Sequence, residues 1–247
     1  MSDPGQGRGC ELAGAGRDTQ SRAEGLTAMT GTPPDKPDRF GDEVVPGKCP
    51  DDRITILSTR LLANDWGVLT RYTLSYRRRN GTTQVFTRET YDRGNGAAIL
   101  LYDDERQVVL LTRQFRFPAY VTGHREDLIE VCGGLLDHDD PATAMRREVG
   151  EEMGVEIGEI TPIGCYYMSP GSVTERIHFF TGVYRPGMRI GPGGGLEGEG
   201  EEIDVMEVAF PEALRMIDDG RILDAKTILL LQHAAIKGLL SVRGAGR

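Results

Sequence analysis

The sequence predicts an α+β fold, in which helices cover both faces of a mixed β-sheet and a small antiparallel sheet precedes it. Three observations support this prediction. β-rich segments with alternating apolar residues begin near Arg53 and recur along the chain. One helical segment with clear capping residues interrupts them, and two more helical segments follow the last strand. This order of strands and helices is typical of a sandwich with helices on both sides of a sheet.

The N-terminal segment, residues 1–50, is dominated by Gly, Pro, Asp, Ser and Thr and has hardly any apolar cluster. Such a composition cannot offset the entropy lost on ordering, so a disordered tail is predicted. Met29 follows a stretch without a folding signal, which leaves translation from that residue as an alternative. The other predicted boundaries are 51–93 for an N-terminal β subdomain, 94–241 for the main domain and 242–247 for a C-terminal tail.

Three segments are predicted to form the N-terminal antiparallel sheet. They are ITILSTRLL, WGVLTRYTLSY and TQVFTRETY, and each alternates apolar with polar residues. The pair Asn80-Gly81 lies between the last two and is typical of a tight hairpin turn. The preceding basic run, residues 77–79, is therefore expected to decorate a strand end.

The later elements follow the same patterns. The helix that interrupts the strands is bracketed by Asp140 as N-cap, Pro141 at its first position and Gly154 just past its end. Further strands are predicted at Ala97–Leu101, Val108–Thr112, Ile160–Tyr167, Ile177–Tyr184 and Ile203–Ala209, and the closing helices at Pro211–Asp218 and Ala225–Leu240.

Composition excludes several classes of function. The net charge of -9 argues against a nucleic-acid-binding surface, because phosphate backbones are held by clustered Lys and Arg. No apolar stretch approaches the length of a membrane span, so no membrane association is expected. The four cysteines lack metal-site spacing and the chain starts without an apolar signal region, which predicts reduced thiols and a cytoplasmic location. Cys132 is predicted to be a core thiol.

The helix that ends at Gly154 carries a crowded group of acids. Glu148, Glu151 and Glu152 share one face of its last turns, where the helix dipole is already negative. Only Arg146 and Arg147 lie nearby, and Arg147 can pair with Glu151 at i+4. A hard divalent cation with oxygen ligands would compensate this charge. The alternative is a solvated acidic helix face, which is what most Glu clusters are.

The spacing around this cluster extends over more than twenty positions. Gly133 is followed by five residues, Asp139, seven residues, and then the run REVGEEMGV from Arg147 to Val155. This pattern resembles the box that defines the Nudix hydrolases. It departs from the family form at Asp139, or its neighbour Asp140, where the family has Glu.

Other blocks resemble one branch of that family, the GDP-mannose pyrophosphatases, which are related to the ADP-ribose pyrophosphatases. The blocks are RETYDRGNGAAILLY from Arg88, LLTRQFR from Leu110, YMSPGSVTERIHFF from Tyr167, a glycine-acidic stretch after Gly193, and DAKTILLL from Asp224. The similarity spans about residues 53–241 and implies a Nudix αβα sandwich with a mixed sheet, residues 94–241 being the Nudix hydrolase domain.

The resemblance also implies an activity. It is magnesium-dependent hydrolysis of a nucleoside diphosphate sugar, with GDP-mannose cleaved to GMP and mannose 1-phosphate as the first expectation. ADP-ribose is the alternative substrate, and Mn²⁺ is a possible substitute for Mg²⁺. An alternative of another class is a Nudix module that binds a nucleotide sugar without cleaving it.

Positions in the family motifs imply the site residues. The expected metal ligands are the Gly133 carbonyl, Glu148, Glu152 and Glu199, and the expected catalytic residues are Glu151, Glu152, Glu199 and Glu201. Because the chain has two extra residues between the box and DAKT, the choice between Glu199 and Glu201 stays open. For Glu148, a structural role in holding the loop is the alternative. The acidic stretch taken alone would be a solvated loop.

Substrate contacts are implied at Trp66, Arg88, Glu89, Arg116, Glu175 and Lys226. Each of three has a structural alternative: Trp66 as a core residue, Arg88 as a salt-bridge partner at a strand end, and Glu175 as a cap of the following strand. Members of the branch are homodimers whose N-terminal sheets help to build the partner's site. A homodimer is therefore expected here, with Arg88 and Trp66 acting across the interface.

Overall fold

The computed structural model describes residues 53–136, 139–196, 198 and 200–242. These residues belong to one compact unit that spans residues 48–247. The predicted disordered tail, the alternative start at Met29 and most of the predicted C-terminal tail lie outside the described residues.

Three strands form the N-terminal sheet, with each strand antiparallel to the next in the order β1-β2-β3. The strands are β1 (Ile54–Asn64), β2 (Val68–Arg77) and β3 (Thr83–Asp92), which confirms the predicted small antiparallel sheet. The hairpin between β2 and β3 is wider than the tight turn expected. Its loop covers residues 78–82, where the Asn80 side chain accepts a hydrogen bond from the Thr82 backbone and Gly81 adopts a φ of 85°.

Seven strands form the second sheet, and its central path runs β10-β5-β4-β9-β8. The strands are β4 (Gly96–Asp103), β5 (Val108–Gln114), β6 (Leu128–Glu130), β7 (Cys132–Leu135), β8 (Ile160–Tyr167), β9 (Arg176–Val183) and β10 (Ile203–Ala209). β6 pairs with β5, and β7 pairs with β4. β4 and β9 are parallel while the other pairs are antiparallel, so the sheet is mixed as predicted.

Four α-helices and one 3₁₀ turn lie between or after these strands in the described residues. They are α1 (Phe117–Val121), α2 (Pro141–Met153), α3 (Phe210–Asp218), α4 (Ala225–Lys237) and the 3₁₀ turn Pro186–Met188. The sequence prediction missed α1, β6 and β7, which are all short. It also extended the last helix to Leu240, whereas Gly238 ends it in a left-handed conformation with a φ of 67°.

The ends of α2 follow the predicted capping chemistry. The Asp140 side chain accepts hydrogen bonds from the backbone N–H groups of Ala142 and Thr143, at 3.0 and 3.4 Å. Gly154 ends the helix in the left-handed conformation. The Asp140 carboxylate is therefore occupied by capping the helix. Asp139, which stands at the box position, is exposed.

Helices cover both faces of the second sheet. Along β4, Ala98 and Leu100 face the cluster that contains α3 and α4, whereas Ile99 and Leu101 face the cluster that contains α2. All four side chains are buried, which is what a strand between two helical layers requires. The predicted αβα sandwich is confirmed.

The N-terminal sheet is fastened to the loop that precedes β9. The Tyr91 backbone N–H donates to the Ser172 carbonyl at 2.8 Å, and the Thr174 N–H donates to the Tyr91 carbonyl at 3.1 Å. The end of β3 is therefore fixed beside the segment that carries Glu175. Among the described residues, no helix is long and apolar enough to cross a membrane.

Two positions on α4 provide a matched test of the core. Leu230 is fully buried between α4 and the sheet, whereas Ile236 is 82% exposed on the same helix. Replacing Leu230 with Ala is expected to lower the free energy of unfolding by about 2–5 kcal/mol, because it removes buried methyl groups and leaves a cavity. Ile236→Ala should change it by less than about 0.5 kcal/mol. Urea denaturation of both variants measures this, and equal losses would contradict the described packing.

Candidate active site

Glu152 is a buried carboxyl group in the last turn of α2. The residue is 2% exposed, and its Oε2 atom has no hydrogen-bond partner among the described residues. Burial raises the pKa of Glu152 to about 8; a hydrogen bond from the Cys132 thiol opposes this, and the nearby carboxylates of Glu148 and Glu201 add to it. A carboxyl held in this way would be stabilised as an anion by a cation placed against it.

Glu148 lies one turn earlier on α2 and faces the glycines of β7. A Cβ atom on Gly134 would stand 2.5 Å from the Glu148 carboxyl carbon, so a larger residue there would displace the Glu148 side chain. Gly133 is more tightly constrained, because its Cβ would stand 2.8 Å from the backbone carbonyl oxygen of Ala97 on β4. Gly133 therefore lets β7 pair closely with β4, and Gly134 leaves room for the Glu148 carboxylate.

Arg147 compensates part of the negative charge. Its guanidinium pairs with Glu151 at 2.9 Å, as the i+4 spacing predicted, and with Glu148 at 2.8 Å. Glu151 therefore has a cationic partner on the same helix, whereas Glu152 is turned into the protein interior. The three acids of the cluster thus occupy three different environments.

The glycine-rich segment that follows Ile190 caps the end of α2. The Gly194 N–H donates to the Glu152 carbonyl at 2.9 Å, and the Gly195 N–H donates to the Glu151 carbonyl at 3.2 Å. Gly193 has a φ of 72°, and a Cβ there would stand 2.4 Å from the Glu152 carbonyl oxygen. Two of the helix carbonyls that lack partners within the helix are thereby satisfied. The acidic loop begins directly from this contact.

Glu201 lies at the end of that loop, close to Glu152. Its carboxylate accepts a hydrogen bond from the Leu196 N–H at 3.0 Å, which closes the loop on itself. It is also near enough to Glu152 to raise the pKa of that residue. Glu199, the other candidate, lies outside the described residues. The choice between the two acids therefore stays open.

Among the described residues, no three His, Cys, Asp or Glu side chains form a group that could hold a metal ion by themselves. Mg²⁺ does not require such a group, because it keeps several waters and is bound by one or two carboxylates together with substrate phosphates. The buried, unpartnered oxygen of Glu152 and the adjacent Glu148 supply a donor set of this kind. The residues present fit a hard divalent cation.

Two of the predicted substrate residues, Arg116 and Lys226, both pair with Glu130, which the sequence prediction missed. Arg116, which precedes α1, pairs with Glu130 at 2.7 Å, and Lys226 of α4 lies 3.5 Å from the other oxygen of the same carboxylate. Arg116 also lowers the pKa of Glu152, so this group and the acidic face of α2 share one region. An acid within the apolar stretch LIEVC was the available signal for Glu130.

The other predicted substrate residues lie on or near the N-terminal sheet. Glu89 pairs with Arg71 on the neighbouring strand at 2.6 Å. The Arg88 guanidinium stacks over the Phe86 ring at 4.4 Å and makes no salt bridge among the described residues. Trp66 is 69% exposed between β1 and β2, so the alternative of a core residue is wrong.

Glu175 lies just before β9 and is mostly buried. Its carboxylate pairs with Arg93 at 3.1 Å. The backbone N–H at the start of β9, that of Arg176, donates instead to the Asn95 side chain at 3.0 Å. The capping role considered for Glu175 therefore belongs to Asn95. Glu175 is left as an acid beside the junction of the two sheets.

Cys132, directly before Gly133, is fully buried as predicted for a core thiol. Burial raises the pKa of its thiol well above the usual value, and the neighbouring Glu152 adds to this. A thiol that resists ionisation is a poor nucleophile. Cys132 therefore serves packing and donates to the buried carboxyl.

Two family models and several relatives match most of the described chain. A family model described as the GDP-mannose pyrophosphatase NudK N-terminal domain matches residues 53–91, and the NUDIX domain model matches residues 92–234. A GDP-mannose pyrophosphatase of Pectobacterium atrosepticum is 47% identical over 186 residues, which cover 75% of this chain and 95% of that protein. Those of Klebsiella pneumoniae and Enterobacter sp. are 43% and 45% identical, covering 76% of this chain and 94% and 98% of their own lengths.

The raised pKa of Glu152 predicts a pH-dependent stability in the absence of metal. The folded protein keeps a proton on this carboxyl up to about pH 8, whereas the unfolded chain releases it near the ordinary value of 4.5. Between these values the unfolding free energy should therefore fall as the pH rises, by at most about 1.4 kcal/mol per pH unit.

Glu152→Gln removes this titration. In EDTA, urea denaturation should show that the variant gains stability relative to the natural protein as the pH increases from about 5 to about 8. A difference between the two proteins that is constant across this window would contradict the described burial.

Proposed function

The chain belongs to the NUDIX domain family, and from that premise we propose that it cleaves GDP-mannose to GMP and mannose 1-phosphate. The family and the relatives make it a hydrolase that acts on pyrophosphate bonds. One observation carries the proposal of catalysis over mere binding. It is the buried Glu152 carboxyl with an unpartnered oxygen, next to Glu148 on the helix of the family box.

NUDIX hydrolases use a divalent metal ion. For this chain we propose Mg²⁺, with Mn²⁺ as a substitute, held by Glu148, Glu152 and the Gly133 carbonyl, with Glu199 as a further candidate. When bound, such an ion neutralises pyrophosphate charge and lowers the pKa of water. The carboxylates supply the hard oxygen donors that it prefers.

The remaining groups position the substrate. The guanidinium of Arg116 and the ammonium of Lys226 are suited to bind phosphate oxygens. Glu201 or Glu199, with Glu151 as a further candidate, would accept a proton from the attacking water. The water oxygen forms a bond to phosphorus, the bridging oxygen leaves with its electron pair, and that oxygen is protonated from solvent. Closure of the loop over the site would exclude bulk water.

The base and sugar would be held by Trp66, Arg88, Glu89 and Glu175. Trp66 is exposed and can stack on a purine. Arg88 and Glu89 lie on β3, and β3 continues directly into the segment beside Glu175. We also propose that the chain is divided into an N-terminal β subdomain at 51–93 and a hydrolase domain at 94–241. A cytoplasmic location is part of the proposal.

We also propose a homodimer, supported by the N-terminal sheet. One face of this sheet presents an apolar groove lined by Ile54, Ile56, Tyr72, Leu74, Tyr76 and Phe86. The apolar face of a sheet is normally buried against another element. A second copy of the sheet would cover the groove and place Arg88, which borders it, near the partner's site.

Hydrolysis of a panel of nucleotide sugars tests the proposed reaction. With Mg²⁺, GDP-mannose should be cleaved faster than ADP-ribose or ADP-glucose, and EDTA should abolish cleavage. Preference for ADP-ribose would keep the metal site but discard the base and sugar contacts. Binding without cleavage of any member would favour the non-catalytic module.

Glu152→Gln should lower kcat on the order of a hundredfold or more, because it removes the buried anion of the site. The matched control is Glu156→Gln, an exposed acid just beyond the same helix. It should leave kcat unchanged. Near-normal turnover of Glu152→Gln would contradict the proposed role of Glu152 in catalysis.

The dimer is tested by light scattering at micromolar concentration. The full chain should show twice the monomer mass of 27.1 kDa. Leu74→Asp, in the apolar groove, should give monomers because it buries an unpaired charge. Val85→Asp, on an exposed position of the adjacent strand outside the groove, is the control and should remain dimeric. A monomeric natural protein would contradict the proposal.

A further inference from the structure

Glu130 is a buried acid to which the proposed reaction assigns no role. It is the last residue of β6, and only 4% of its side chain is exposed. One carboxylate oxygen contacts Arg116 Nε at 2.7 Å, and the other lies 3.5 Å from Lys226 Nζ. Two cations from distant parts of the chain therefore share one buried anion.

Stability alone gives little reason for this arrangement. Removing a carboxylate from water is costly, and the attraction of a buried ion pair often only balances that cost. A packed apolar residue would serve the core equally well. An anion kept here at the junction of β6 and α4 is better explained by what it does to its two partners.

The contact to Arg116 has a specific geometry. Glu130 accepts from Nε, while the two terminal amino groups of Arg116 make no hydrogen bond to any described residue. The Arg116 side chain is 41% exposed, so it is accessible from solvent. An arginine held by Nε presents its other donors in a fixed plane, which suits a phosphate group.

Lys226 is held from its own side by the start of α4. Asp224 caps this helix by accepting from the Thr227 N–H at 2.9 Å, and it also contacts Lys226 Nζ at 2.5 Å. The Thr227 hydroxyl accepts from the Val131 N–H at 2.8 Å, directly after Glu130. This hydrogen bond fixes the start of the helix that carries Lys226 beside the end of the strand that carries Glu130.

We propose that Glu130 is a positioning residue, which holds the Arg116 guanidinium and the Lys226 ammonium in place to bind the pyrophosphate of the substrate. It acts through these two cations and does not touch the substrate. The proposal rests on the proposed function in assigning Arg116 and Lys226 to phosphate binding.

Glu130→Gln is the main test, because the amide keeps the shape and one acceptor but loses the charge. In the full-length protein with Mg²⁺, KM for GDP-mannose should rise about tenfold, while kcat should stay within about threefold. Glu212→Gln, which removes an acid of an exposed ion-pair group on α3, is the control and should change neither value. A KM unchanged in Glu130→Gln would overturn the proposal.

A double-mutant cycle separates positioning from a general structural effect. If Glu130 acts through Arg116, then Glu130→Gln should add less than about threefold to the KM of an Arg116→Ala protein. Full additivity of the two changes would contradict the proposal. Glu130→Asp should restore part of the affinity, because it returns the charge. Thermal unfolding of each variant identifies any that fail to fold, and the Asp variant then decides the outcome.

Binding of inorganic pyrophosphate by calorimetry distinguishes failure of this proposal from failure of the proposed function. If no nucleotide sugar is cleaved but pyrophosphate binds about tenfold more weakly to Glu130→Gln, the substrate assignment falls and the role of Glu130 stands. If GDP-mannose is cleaved equally by both proteins, the role of Glu130 falls and the function stands. Absence of pyrophosphate binding to the natural protein would overturn the role of Glu130.

Discussion

The C-terminal end of α2 carries carboxyl groups at a place where both the helix dipole and burial disfavour negative charge. The rest of the site is arranged around this constraint. The helix dipole is negative there, and burial removes Glu152 from water. The glycine-rich segment reduces the first problem by donating backbone N–H groups to the last helix carbonyls. The burial of Glu152 would be compensated by a bound cation. The same helix end therefore fixes both the carboxylates proposed as metal ligands and the start of the acidic loop.

The parts of the fold that local chemistry dictates could be predicted from the sequence. Asp140, Pro141 and Gly154 defined α2 because capping depends on residues within a few positions. The buried strand β4 was also predicted, although it was placed one residue short at its start and two residues short at its end because only the apolar run was counted. Gly238 carried a stop signal for α4 that the longer apolar run outweighed. Short elements such as β6 and β7 gave too few residues for a periodicity to emerge.

The candidate site was predicted less completely, for a physical reason. The carboxylates of α2 lie on one helix, so their proximity follows from spacing alone. Glu130 instead meets Arg116 and Lys226, whose contact depends on how β5, β6 and α4 pack. No local pattern encodes that meeting. Trp66 illustrates the opposite case, since a lone tryptophan suggests a core position while the turn that carries it places it in solvent.

The pairing of Glu130 with Lys226 also has a consequence for the order in which the protein matures during synthesis. A ribosome adds roughly 5–20 residues per second, so the acidic helix emerges several seconds before α4. Until Lys226 arrives, Glu130 is left with Arg116 as its only described cationic partner. The nascent chain therefore contains the carboxylates of α2 early, whereas the pair of cations around Glu130 is completed last. A chain released before α4 would hold the acids of the site without the second cation that accompanies them.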